Sequence, residues 1–209
     1  MRQHTSCSSF FLTSFFPRLT QMTSYEKPGR YLLYVALYAR GGKSTMPGHE
    51  DRYHWAFIVE PEDETKNSQR KRFHVKKSLR PLGEQRTANS YWHFEEIDIS
   101  TDAPSMMLTR ILIGKVKDLD RLRFSLRRTP IQQDVKAWNW IDWVEAAFYE
   151  ITQDYGNLET CVTKWEILRD TVMRYIELKK LAHRFDGTRA YDFTKVPTWD
   201  MLQGAEVTP

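Results

Sequence analysis

The stretch YHWAFIV, residues 53–59, decides the fold class of this chain. Its aromatic and β-branched residues favour a strand, and Pro61 ends that strand because proline lacks the amide proton that a sheet needs. A polar segment at 61–70 follows, and RFHVK at 72–76 then alternates polar and apolar residues. Two strands joined by a polar loop are typical of a β-hairpin, so we expect an antiparallel pair here.

Strand-like runs also flank this hairpin on both sides. They lie at 31–38, 92–99 and 107–116. Helical patterns begin only after the last of these runs, so strands come first and helices second. This order predicts an α+β domain in which a mainly antiparallel sheet is followed by packed helices, and it argues against a doubly wound parallel sheet.

Helices are predicted in the second half of the chain. The first runs from an Asp118 cap to about Arg128, the second covers about 139–151, and the third covers about 163–183. In the first helix we expect four side chains to be buried or half-buried: Leu119, Leu122, Phe124 and Leu126. In the second helix, the spacing of Ile141, Val144 and Phe148 places all three on one face, toward the sheet.

The start of the chain differs from this domain, which we expect to span residues 30–209. Residues 1–29 carry no acidic side chain before Glu26 and mix phenylalanine with serine and arginine. Such a composition is typical of a disordered tail or of a mitochondrial transit peptide. Pro17 interrupts any amphipathic helix there, which favours a disordered tail, with Met22 as an alternative start.

The segment after Arg184 should dock on the domain as an irregular strap. It carries Trp199 and Leu202 near its end. An exposed tryptophan beside other apolar groups would be an unusual liability for a protein surface. We therefore expect Trp199 and Leu202 to contact the core.

Composition limits the classes of function. The 209 residues are 41% hydrophobic and 13% aromatic, which suits a folded core, and no apolar run approaches the roughly 20 residues that span a bilayer. The two cysteines, Cys7 and Cys161, are too few for a disulfide framework or a cysteine-rich zinc site. We therefore expect a reducing, cytoplasmic compartment, or a mitochondrial one if residues 1–21 are a transit peptide.

One basic cluster raises the question of nucleic-acid binding. Its members are Arg70, Lys71, Arg72, Lys76 and Lys77. The net charge of +4 is small, and on a strand Arg72 and Lys76 share a face with His74 whereas Lys77 does not. Solvated charge is the simpler interpretation, so we expect no nucleic-acid partner.

Histidines at 54, 74 and 93 all fall on predicted strands. Their spacing does not force them to converge, so we expect no metal and no cofactor. His54 and His74 differ from His93 because their strands form the predicted hairpin and both can point to one side. In that arrangement one imidazole could act as a base while the other orients it or stabilises charge.

Three short motifs together resemble the lecithin:retinol acyltransferase and phospholipase/acyltransferase families, in the permuted NlpC-type branch of papain-like enzymes. They are YHWAFIV at 53–59, FHV at 73–75 and NWIDWV at 139–144. In those families a His-Trp-(Gly/Ala) strand carries the catalytic histidine, a second histidine follows on the next strand, and an Asn-Cys pair opens a helix.

A second resemblance covers about residues 31–202, to an uncharacterised family of small fungal proteins. It rests on IGKV at 113–116, WNW at 138–140, RF at 184–185 and VPT at 196–198. It carries no activity with it, because no function is attached to that family.

The acyltransferase resemblance implies a permuted papain-like fold with His54 as base and His74 as the third polar member. It also assigns the nucleophile to position 140, which is tryptophan. A cysteine at a helix N-terminus is activated because the partial positive charge there stabilises a thiolate. Indole has no ionisable group near neutral pH, so the ordinary thiol mechanism is absent. Cys161, expected at the start of the next helix, could replace it only in an electropositive, partly exposed setting.

Two functions remain open. The first is a catalytically degenerate papain-like domain that binds a small molecule or a protein partner, without thiol hydrolase activity. Its binding candidates are Trp55, Trp138, Asn139, Trp140, Asp142 and Trp143, although some of these aromatics could simply be core. The second is a non-thiol enzyme, an acid–base isomerase or cyclase or an acyl-group enzyme, which uses His54 and His74 in the same cleft.

Overall fold

The structure of the chain is a computed structural model that describes residues 30–63, 69–80, 89–99 and 106–209. The strands are β1 Tyr31–Ala39, β2 Tyr53–Pro61, β3 Arg70–Arg80, β4 Asn89–Ile99, β5 Met107–Val116, β6 Leu158–Cys161, β7 Thr198–Asp200 and β8 Ala205–Thr208. The helices are α1 Leu119–Arg128, α2 Trp140–Gln153 and α3 Trp165–Leu181. The tail predicted at 1–29 lies outside the described residues.

All of these strands belong to one sheet, in the order β4-β3-β2-β1-β5-β7-β8, with β6 also paired to β5. Neighbours among β1 to β5 run antiparallel, and only β7 lies parallel to its neighbour β5 among the described pairs. The predicted α+β class with a mainly antiparallel sheet is therefore confirmed. Within the part of the chain that the structure describes, no helix is both long enough and apolar enough to cross a membrane.

One face of the sheet carries the main core. Along β2, Trp55, Phe57 and Val59 point to this face because alternate residues of a strand share a side. The helix α2 covers it and buries Ile141, Val144 and Phe148, each at most 3% exposed, as the spacing of these residues predicted. Burial of a side chain of this size contributes roughly 1.5–3 kcal/mol, so these three residues help to hold α2 against β2 and β3.

The opposite face of the sheet has a second, smaller cluster made of strand residues, with Leu202 packed beside it. Two small residues, Ala36 and Ala56, face each other within this cluster across β1 and β2. Glu60, only 2% exposed, accepts hydrogen bonds from Arg110 at 2.7 and 2.6 Å and lies 3.1 Å from Arg70. This second face is therefore a polar and charged surface, built over apolar strands.

The C-terminal segment is more regular than the predicted strap. It forms β7 and β8, and Met201 donates its amide proton to Leu112 at 3.1 Å. Trp199 packs against the main core and lies 5.9 Å from the Tyr175 ring, whereas Leu202 packs against the second cluster. The predicted core contacts of both residues are confirmed.

Replacing Trp199 by alanine should lower the free energy of unfolding by about 2 kcal/mol. The substitution removes a partly buried ring that joins β7 to α3, and it leaves a void. Urea denaturation measures the change, with Val207→Ala as a matched control because Val207 is 55% exposed on β8. Equal stability of the two variants would show that the C-terminal segment is not anchored through Trp199.

Two details of the helical half differ from the predictions. Phe124 is 61% exposed, because it lies two residues from both Leu122 and Leu126, on the opposite side of α1. Cys161 ends the short strand β6 instead of starting the next helix. A strand of this length has too few residues to show an alternating pattern, so the sequence did not predict it.

Candidate functional site

A row of polar side chains crosses neighbouring strands on the second face of the sheet. Tyr38 on β1 is directly opposite His54 on β2, and His74 on β3 is directly opposite Glu95 on β4. His54 Nε2 and His74 Nδ1 are 2.6 Å apart, so the two imidazoles share one hydrogen bond. The pairing of β2 with β3 thus brings together the two histidines that the sequence singled out.

Glu95 extends this pair by a third group. One of its carboxylate oxygens lies 3.2 Å from His74 Nε2, at ion-pair distance but outside hydrogen-bond alignment. Its other oxygen contacts Lys76 at 2.8 Å. A carboxylate beside Nε2 favours the tautomer with the proton there, so that His74 Nδ1 accepts from His54 Nε2–H. His54 Nδ1 is then the nitrogen with a free lone pair.

Both histidines are neutral at pH 7. Burial, together with the charge of the neighbouring His74 and of Arg72, lowers the pKa of His54 to about 3. Burial and Arg72 also lower the pKa of His74 to about 4, against the opposing effect of Glu95. Desolvation disfavours the charged form of an imidazole, so each ring here is a weak base.

Position 140 is the first residue of α2, and its neighbours form the cap of that helix. The Asn139 side chain accepts a hydrogen bond from the Ile141 amide at 2.7 Å, and the Asp142 carboxylate accepts from the Asn139 amide at 2.7 Å. This is a reciprocal cap, which satisfies backbone donors that a helix start leaves free. The role of Asn139 and Asp142 in capping α2 is therefore sufficient to explain both residues, and neither needs a bound ligand to explain it.

Trp140 fills the space beside His54. Its ring centre is 5.6 Å from that of His54 and 5.9 Å from that of Trp92. The guanidinium of Arg40 lies 4.4 Å above the indole, and the indole nitrogen donates to the Tyr53 carbonyl at 2.9 Å. Trp140 and His54 therefore lie close together, as predicted, and the indole N–H already has a hydrogen-bond acceptor.

Two of the predicted binding aromatics are core residues instead. Trp55 and Trp143 are both 0% exposed. Trp55 donates to the Glu50 carbonyl at 3.0 Å, and Trp143 packs against Phe57 with ring centres 6.1 Å apart. Neither has surface that a ligand could touch, because each points to the helix-covered face. Trp138, half-buried against Trp92, stays at the edge of the site together with Trp140.

Cys161 is not placed to replace the missing thiol. It lies on β6, which pairs with β5 and is separated from β2 by β5 and β1. Burial raises the pKa of its thiol, so the nucleophilic thiolate is disfavoured near neutral pH. The half-buried thiol packs against the main core, as a small apolar side chain does.

The basic cluster on β3 is divided between the two faces of the sheet. Lys71 pairs with Asp98 at 2.6 Å, whereas Arg70 and Lys76 pair with Glu60 and Glu95. Carboxylates of the same sheet thus take up much of the charge that a phosphate backbone would need.

The sequence analysis missed Tyr38 and Glu95, and it named Arg72 only as a member of the basic cluster that shares a face with His74. Alternation along β4 could have placed Glu95 on the same face as His93, but its approach to His74 depends on the register of β3 with β4. A role for Tyr38 and Arg72 in this site could not be predicted, because nothing local shows which polar atoms stay without a partner.

A cavity of about 190 Å³ lies elsewhere, between α3 and β7. Its lining residues are Thr171, Arg174, Tyr175, Leu178 and Trp199. The Tyr175 hydroxyl already donates to Glu206 at 2.5 Å. None of the lining side chains belongs to the row that contains His54.

Comparison with known proteins yields one family. A family of unknown function (DUF6914) matches residues 30–208. No curated protein and no solved structure matches the chain. The matched range begins just before β1 and ends with β8, so it contains every residue of the site described above.

Proposed function

We propose that this chain, which belongs to the DUF6914 family, is a permuted papain-like domain of the NlpC and acyltransferase type that has lost thiol catalysis and binds a small molecule or a protein partner. One observation carries the proposal: Trp140 occupies the first position of the capped helix α2, with its ring 5.6 Å from that of His54. In the resembled families, that position holds the nucleophilic cysteine.

The arrangement around Trp140 supports the papain-like assignment. The helix α2 packs on the two strands that carry His54 and His74, and its start faces the first of these histidines. The two imidazoles are hydrogen-bonded, as a base and its orienting group would be. Strands β1 to β5 come before α2 in the chain. In the resembled families the two histidine strands likewise come before the helix that carries the nucleophile.

The same groups argue against catalysis by a thiol. The indole of Trp140 cannot form a thiolate or an acyl bond. Its only polar atom, the ring nitrogen, already donates a hydrogen bond to the Tyr53 carbonyl. The lowered pKa of His54 makes this imidazole a poor proton acceptor at neutral pH. A binding role needs neither a nucleophile nor a base, and the partly exposed edge at Trp138 and Trp140 suits an aromatic contact.

A non-thiol enzyme is the second candidate, and the intact histidine pair favours it. The contact of 2.6 Å between His54 and His74, with Glu95 behind it, is the geometry of an oriented general base. Efficient acid–base catalysis, however, works best with a pKa near the operating pH. Both imidazoles lie below that range, so we rank this candidate second.

Hydrolysis of an activated ester separates the two candidates. The wild-type protein should hydrolyse p-nitrophenyl acetate no faster than a His54→Gln variant, and mass spectrometry should show no acetylated protein. His49→Asn is the control, because His49 is exposed and asparagine tolerates its left-handed backbone with a φ of 61°. A loss of tenfold or more in His54→Gln, with His49→Asn unchanged, would establish the non-thiol enzyme instead.

A further inference from the structure

We propose that the second face of the sheet binds a small monocarboxylate through Arg72 and Tyr38, next to His54. This proposal deepens the proposed binding role and rests on it, because it names the class of ligand. It starts from polar atoms that the fold leaves without partners beside the histidine pair.

Arg72 lies on the same face of β3 as His74. No carboxylate among the described residues lies within ion-pair distance of it, although Glu60 contacts both Arg70 and Arg110 on the same face. Its Nε atom is buried and makes no hydrogen bond to any residue that the structure describes. Its guanidinium lies 4.9 Å above the Tyr38 ring, and the side chain is only partly exposed. Desolvating a guanidinium without an anion is unfavourable, so an anion should bind there.

Tyr38 supplies a second unused donor at the same place. The residue is 6% exposed, and its hydroxyl donates to no group among the described residues. Burial raises the pKa of Tyr38 despite the nearby Arg72, so the hydroxyl stays protonated and can donate. The Tyr38 ring lies 6.5 Å from that of His54. If the flexible Arg72 side chain rotated away from the Tyr38 ring, one ligand could contact both the Tyr38 hydroxyl and the Arg72 guanidinium.

The charge of the side chains at this site determines which class of anion can bind. A guanidinium presents two parallel N–H groups that match the two oxygens of a carboxylate, and the phenol can donate to one of them. Arg72 supplies one positive charge over Tyr38, which matches one negative charge; Arg40, the other cation that acts on His54, is exposed and lies over the Trp140 indole. His54 and His74 are neutral at pH 7 and add no charge for a phosphate dianion. A monocarboxylate therefore fits this site better than phosphate.

The test measures the melting temperature of the full chain against propionate, with sodium chloride at the same ionic strength and inorganic phosphate as separate arms. Propionate should raise the melting temperature saturably, and chloride and phosphate should not. Arg72→Gln should weaken binding at least tenfold, and Tyr38→Phe should weaken it less. Arg189→Gln is the control, because Arg189 is an exposed arginine on another surface.

Equal effects of propionate and chloride on the wild-type protein would overturn the proposal without any variant. Unchanged propionate affinity in a folded Tyr38→Phe protein that also carries Arg72→Gln would overturn it as well. Saturable binding of phosphate in place of propionate would refute the carboxylate assignment. These readouts contain no turnover, so their failure leaves the result of the ester assay, and with it the proposed loss of thiol catalysis, unaffected.

Discussion

Lowering the pH from 7 to 5 should reduce the free energy of unfolding by roughly 2 to 4 kcal/mol, because His54 and His74 are held neutral in the folded protein. The unfolded chain protonates both near their ordinary pKa of about 6.5. The folded protein does so only near 3 and 4. The unfolded state therefore binds more protons in between. The histidines contribute full stability above about pH 6.5, and it is lost progressively as the pH falls toward 3.

Urea denaturation at both pH values measures this loss. His74→Gln keeps a side-chain amide beside His54 but removes one of the two buried titrating groups, so it should reduce the loss between pH 7 and pH 5 by about half. Val207→Ala should leave the loss unchanged, because it removes no titratable group and Val207 is 55% exposed. A wild-type protein equally stable at both pH values would show that the imidazoles are solvated and that the site is open to water.

The strands of this fold could be predicted from sequence because their signal is local. Residues 31–38 and 53–59 each contain enough β-branched and aromatic side chains to outweigh any alternative. The short strands β6 and β7 carry no such signal, because they exist through pairing with β5. A short strand that forms only by pairing with a distant segment of the chain cannot be predicted from its own residues.

The site was predictable only in part, for a related reason. His54 and His74 could be paired because one hairpin joins their strands. Trp55 and His54, one residue apart, must point to opposite faces, yet the sequence does not state which face the helices cover. Trp55 and Trp143 lie on the helix-covered face, where the alternative that they are core residues applies. The roles of Arg72 and Tyr38 depend on which polar atoms remain unpaired after folding.

Replacing Trp140 by cysteine should convert the site into one with a reactive thiol. The change removes an indole that packs on His54 and Trp92 and donates to Tyr53. We expect it to lower the free energy of unfolding by about 2–3 kcal/mol, because the ring is only partly buried. It should leave α2 in place, since the cap formed by Asn139 and Asp142 does not involve the Trp140 side chain.

The new thiol should titrate at about pH 7, roughly one to two units below the ordinary value for cysteine. The positive end of the α2 dipole stabilises a thiolate. Loss of the indole also admits water beside His54 and weakens the desolvation that lowers its pKa, so this imidazole can take the proton and form an ion pair. The native Cys161 is a matched comparison within the same fold, because burial raises the pKa of its thiol. The two cysteines should therefore differ in the direction of their shifts.

The most direct measurement is the pH dependence of iodoacetamide alkylation for Trp140→Cys, with Cys7 and Cys161 replaced by serine, compared with the same protein carrying His54→Gln. A papain-like site that has lost its nucleophile predicts half-maximal reactivity at about pH 7, with a return toward about 8.5 when His54 is replaced. A thiol that titrates at about 8.5 in both proteins would contradict this account, because position 140 and His54 would then not act on each other.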